Sequence, residues 1–145
     1  MKICLRILLL SFSICIISCG GDDLLSTSIV GSSWELKSIS QTTCDDPDNN
    51  VAIVSVENNC LEWQSDEFCN FILKFFENGE GRSEALIDGE LDIDDFTYTT
   101  DDNNNQITYC NSSNDCDIGI VQENQLTLLI QDGNSCTINV VFAKM

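Results

Sequence analysis

From residue 29 onward the chain is patterned with a period of two, and that alternation constrains its folding more than any other feature. In "SSWELKSIS" Trp34 and Leu36 take one face while Glu35 and Lys37 take the other. "NFILKFF" groups Phe71, Leu73 and Phe75, and the "ENGE" that follows carries Asn78-Gly79, a hairpin dipeptide. "FTYTT" sets Phe96 with Tyr98, "QITYC" sets Ile107 with Tyr109, and "DIGIVQ" sets Ile118 with Ile120. After an "EN" turn, "QLTLLIQ" alternates Leu126, Leu128 and Ile130; after "DGN", "SCTINVVFAK" aligns Cys136, Ile138, Val140 and Phe142. No helical period stands out, although "NNCLEWQSDEF" is open between a short helical turn and a loop held by Cys60 and Cys69, with Leu61 or Trp63 on it. Seven or eight short strands joined by turns predict an all-β antiparallel meander, and closing it into a barrel removes its exposed edges. Trp34, Leu36, Phe71, Leu73, Phe75, Phe96, Tyr98, Tyr109, Leu128 and Phe142 are the inward-facing candidates. In a small eight-stranded barrel such residues either fill the interior or leave room for one small apolar ligand. The rings Trp34, Phe71, Phe75, Phe96, Tyr98 and Tyr109 are therefore the ligand-binding candidates, set against the commoner role of such a stripe as core.

The first residues have a different character. Lys2 and Arg6 precede an apolar run of eleven residues, Ile7 to Ile17, which suits a signal-peptide core and is too short to span a bilayer. The run closes on Ile16, Ile17, Ser18 and Cys19, which resembles the bacterial lipobox. That resemblance implies a signal peptide over 1–18, cleavage before Cys19, and acylation of Cys19. Two or more acyl chains hold a protein stably on a membrane. Residues 19–28, including "GGDDLLSTS", then form a flexible acidic tether, and 29–145 the barrel domain. "CGGDD" is similar to the acidic stretch after the lipidated cysteine of surface-displayed lipoproteins in the Bacteroidetes, which implies a lipid-anchored protein of the outer membrane, exposed at the cell surface.

Of nine cysteines, Cys4, Cys15 and Cys19 belong to this leading part, and six remain: Cys44, Cys60, Cys69, Cys110, Cys116 and Cys136. An even remainder in an exported domain predicts three disulfides. Cys110 and Cys116 flank the turn-forming "NSSND" and are expected to pair; the other four are left open. Zinc is disfavoured, because there is no histidine and no C-x-x-C spacing.

Four basic residues remain beyond Arg6 against 24 acidic ones, a net charge of about −20. Nucleic acid is excluded as a partner, since it requires Lys and Arg clusters. The same charge disfavours docking on anionic headgroups and leaves membrane attachment to the lipid. "CDDPDNN" (44–50) and "TDDNNN" (100–105) offer oxygen ligands, yet neither has the spacing of a calcium loop, and Asp and Asn serve turns equally well. No metal or other cofactor is expected. Without histidine, Ser-His-Asp and Cys-His chemistry is impossible, and no particular carboxylate pair stands out among the acids, so no catalytic residue is assigned.

"IVGSSWELKS" (29–38) resembles the opening of bacterial lipocalin-like domains, in which a glycine precedes a tryptophan that plugs one end of the barrel. "LKFFENGEGR" (73–82) is similar to that family's second strand and hairpin, and "ENQLTLLI" with "VVFAK" to its last two strands, ending at Lys144. The chain departs in having two residues between Gly31 and Trp34, in its six cysteines, and in lacking the Gly-Cys-Asn signature of the related META-type domains. The resemblance implies a non-catalytic, lipocalin-like binding domain for a small hydrophobic molecule or a glycan fragment. The alternative is a protein-interaction or accessory subunit, or an inhibitor, of an outer-membrane complex, with a filled barrel and a working surface on the loop from Cys44 to Cys69 around "VAIVSV".

Overall fold

The computed structural model describes residues 29–101, 103, 105–131 and 135–145, so the expected signal peptide, Cys19, the expected tether and the "DGN" stretch lie outside the described residues. The strands are β1 (Ser33–Thr42), β2 (Val51–Ser55), β3 (Cys60–Trp63), β4 (Asp66–Phe75), β5 (Glu80–Ile87), β6 (Glu90–Thr100), β7 (Gln106–Cys110), β8 (Cys116–Gln122), β9 (Gln125–Gln131) and β10 (Thr137–Lys144). All pair antiparallel in one sheet, in the order β2-β1-β10-β9-β8-β7-β6-β5-β4-β3, and β1 also pairs with β4. That last pairing, Ser33↔Lys74 to Glu35↔Ile72, closes β1 and β4–β10 into an eight-stranded barrel. The expected meander is therefore present, with two extra strands, β2 and β3, in the stretch between Cys44 and Cys69 that alternation alone leaves as loop.

The extra strands lie where β1 and β4 part. β1 pairs with β4 only over Ser33–Glu35; its later residues Ser38, Ile39 and Gln41 pair with β2. β4 mirrors this, its first residues Asp66–Cys69 pairing with β3. "CLEWQSDEF" is thus a hairpin, turned by Gln64 and Ser65 at φ 51° and 80° and bridged by Cys60–Cys69. Leu61 and Trp63 point into the core from it.

Turn chemistry sets the register. Gly79 at φ 80° ends the four-residue connection after Phe75, with the Phe76 amide donating to the Glu80 carbonyl. Asp88 and Gly89, both at positive φ, make the two-residue turn between β5 and β6. In β4, Asn70 at φ 52° coincides with a register shift between Cys69 and Ile72. The extra residue restores the inward side, so Phe68 and Phe71, three apart, both pack on the core with rings stacked 6.4 Å apart.

One end is sealed. Trp34 is fully buried, its indole N–H donates to Ser32 Oγ at 2.6 Å, and the Lys144 ammonium lies 5.9 Å from its ring. The Phe75 amide donates to Ser32, that of Tyr98 to Gly79 and that of Lys144 to Asn124, so three strand ends meet there. Above this floor Phe75 packs edge-on against Phe96 and Tyr98, at 5.2 and 4.9 Å between centroids. Ile107, Val121, Leu126, Leu128 and Phe142 complete the filling.

Candidate functional site

Three disulfides are formed. Cys60–Cys69 and Cys110–Cys116 join residues directly opposite in their hairpins, and Cys44–Cys136 joins the segment after β1 to the residue before β10 across 92 positions. The expected Cys110–Cys116 pair is present. The third bridge draws the 44–50 segment toward the end of the barrel opposite Trp34, where Gln41 donates to the Asn49 carbonyl and to Cys136 Sγ.

The six ring candidates separate. Trp34, Phe75, Phe96 and Tyr98 are between 0% and 6% exposed and belong to the packed core rather than to a ligand surface. Phe71 and Tyr109 are partly buried and pack against that core, as do Phe68, Ile130 and Ile138. Phe71 stands edge-on to Phe142 at 5.6 Å, and Tyr109 lies against Phe96 at 4.6 Å. Tyr98 is anchored by its hydroxyl, which donates to the Phe76 carbonyl at 2.6 Å, and burial raises its pKa.

On the β6 side the wall continues past its neighbour. β6 outruns β7: their pairing stops at Thr97↔Cys110, while β6 runs back to Glu90 paired with β5 alone. The inward face that carries Tyr98 and Phe96 therefore continues through Asp94 and Asp92, which are inward-facing by strand alternation yet exposed. On β8 the inward face carries Val121, Gly119 and Asp117, and Asp117 is the register partner of Tyr109. Ile118 and Ile120 do share a face, as expected, but it is the outer one, where they are 45% and 38% exposed. Gly119 takes the inward position because Ile107 and Leu128 leave no room for a Cβ.

This open end is acidic. Burial first, then the charges of Asp94 and Asp117, raise the Tyr109 hydroxyl above the ordinary tyrosine pKa. Asp117 is itself raised, chiefly by desolvation, with Asp115 adding to the rise and the Gln131 amide opposing it. Sequence reasoning did not single out Asp92, Asp94 or Asp117; their alternation with Phe96 and Val121 carried the signal, but 24 acids obscured it.

The acidic loops serve as turns. Asp46 accepts the Asp48 amide, and Asp101 accepts those of Asn105 and Gln106 at 2.8 and 2.9 Å. Among the described residues Cys60, Glu67 and Cys69 bring metal-type atoms together, but both sulfurs are consumed in a disulfide. On the outer face a groove of about 380 Å³ lies between the Arg82–Asp95 pair (2.7 Å) and the 111–114 loop. That pairing lowers the Asp95 pKa and raises that of Arg82.

Fold and geometry together define a small, disulfide-bonded, closed antiparallel β-barrel with Trp34 sealing one end and Asp92, Asp94 and Asp117 toward the other. No family model, no curated protein and no solved structure matches the chain.

Proposed function

We propose that this is a non-catalytic binding domain of a bacterial lipoprotein, held at the outer membrane through lipid on Cys19 and binding a small ligand in the open end of its lipocalin-like barrel. The observation that carries the reading is the wall that outruns its neighbour: β6 continues past the end of β7, so the inward face that carries Phe96 and Tyr98 extends beyond the partly buried Tyr109. Three disulfides support export, because such bonds persist in oxidising compartments. The acidic surface suits a partner that is neither nucleic acid nor an anionic headgroup. Native mass spectrometry tests the reading: a mass retained natively and lost on denaturation is expected, and a clean apo mass from cells and after titration with small ligands counts against it. Incorporation of labelled palmitate, lost in Cys19→Ala, tests the anchor.

One observation favours a second reading, a protein-interaction module. β2 is a sheet edge paired only with β1, and its Ile53 is 72% exposed. Edges of this kind pair with extended segments of other chains. Pull-down from native membranes, weakened by Ile53→Lys, is the expected result under that reading.

A further inference from the structure

We infer that the outer-face groove between β5, β6 and the 111–114 loop is a binding site separate from the barrel interior, and that it takes a neutral carbohydrate. Its volume of about 380 Å³ lies within the size range of small-molecule sites. Three walls meet there. Arg82 and Asp95, register partners on the outer face, stand side by side at 2.7 Å. Phe76, in the connection after β4, brings a ring that is 42% exposed. Asn111, Ser112 and Asn114 form the far side.

Each wall is held in place by the fold. The Tyr98 hydroxyl donates to the Phe76 carbonyl at 2.6 Å, and the Phe76 amide donates to the Glu80 carbonyl at 2.8 Å. The Cys110–Cys116 bridge closes the loop, whose Asn111 Oδ1 accepts the amides of Ser113 and Asp115 at 2.9 and 3.0 Å. A site set in advance loses little freedom on binding. The lining then selects by chemistry. Arg82 is met by Asp95, so an anion would have to break that pair on a strongly acidic chain, and a cation finds the Asp95 charge already answered. Donors and acceptors are nevertheless interleaved: the guanidinium keeps further N–H groups, the carboxylate keeps further acceptor positions, and Thr97, Ser112 and Asn114 carry both kinds. A hydroxyl group both donates and accepts, so neighbouring hydroxyls on one sugar ring can meet the Arg82–Asp95 pair at both ends. The apolar C–H face of the same ring can then lie against Phe76.

Amide NMR of the isotope-labelled, oxidised full chain in detergent tests this, with maltose, cellobiose, lactose and diacetylchitobiose as probes and with acetate and ethylammonium as charged comparators. At least one disaccharide is expected to shift the amides of Phe76, Arg82, Asp95 and the 111–114 loop with a Kd of about 1 mM or tighter, and neither comparator to do so. Phe76→Ala and Asp95→Asn should each weaken that disaccharide by about tenfold, through loss of a ring contact and of a charge-assisted hydrogen bond. Near-UV circular dichroism checks that each variant is folded. No shift by any disaccharide up to about 10 mM overturns the inference, and so does binding that survives both substitutions unchanged. Equal shifts from acetate or ethylammonium overturn it in favour of a charged ligand. Disaccharide shifts confined to Phe71, Tyr109 and their neighbours overturn it in favour of the barrel interior. The native-mass experiment above tests the barrel reading on its own, so the two proposals fail separately.

Discussion

The ring of Phe96 on β6 lies over Gly81 on β5: a Cβ built on Gly81 would sit 2.2 Å from Phe96 Cε2 and 2.7 Å from the Lys74 carbonyl. The two are register partners, and Phe96 holds both Phe75 and Tyr109 edge-on or tilted against it. The missing side chain is thus what allows a ring to turn across the strand and cover the floor of the open end.

Gly81→Ala is accordingly expected to destabilise the barrel by about 1–3 kcal/mol, the range for overpacking a filled core. Gly119→Ala should behave alike, since its Cβ would meet Ile107 at 2.6 Å and Leu128 at 2.9 Å. Denaturant titration of the oxidised protein measures both; a loss below a few tenths would mean that the rings shift freely.

The disulfides should rank by the chain they enclose. Cys44–Cys136 closes 92 positions and is expected to contribute about 4–5 kcal/mol, whereas Cys110–Cys116 closes 6 and contributes about 2. Paired Cys→Ser variants, compared by their unfolding midpoints, check the order; equal losses would show that strand pairing already enforces the long closure.

Trp34 seals the barrel with its ring and one donor. Trp34→Ala should cost about 3–5 kcal/mol. Trp34→Phe should cost less, because it keeps much of the ring packing while giving up the bond to Ser32 and the contact with Lys144. Because Trp34 is fully buried, its fluorescence should resist aqueous quenchers until the barrel unfolds.

Asp117 gives a pH signature. Its folded-state pKa lies above the ordinary carboxylate value, mainly through desolvation, so the folded protein holds that proton more tightly than the unfolded chain. Its contribution is therefore most favourable below the unfolded pKa of about 4 and falls as pH rises through the window up to the folded value. Asp117→Asn should raise the melting temperature at neutral pH, and the gain should vanish below about pH 4.

Much of this was legible beforehand because period-two alternation is local. Trp34 with Leu36, Leu126 with Leu128, and Val140 with Phe142 declare an inner face without reference to anything distant, and they are buried together. The Cys110–Cys116 pair was readable for the same reason, as turn residues bring two nearby positions opposite each other. Where the sequence stopped short, the cause was competition between neighbours. Ile118 and Ile120 share a face as their spacing says, but which face is decided by Gly119 between them, the residue that fits against Ile107 and Leu128. "VAIVSV" reads as a loop in isolation and becomes a strand because β1 has an unpaired edge where it leaves β4.

The amino-acid sequence alone, then, determined an all-β chain, its turns, most of its inward rings, and six cysteines able to pair. Only the tertiary structure decided that Cys44 meets Cys136, that Asn70 bulges so that Phe68 faces inward with Phe71, and that the charges of Asp94 and Asp117 reach Tyr109. These depend on barrel closure and register, which are set by contacts between residues far apart in the chain; alternation fixes which side a residue faces, but not what it faces.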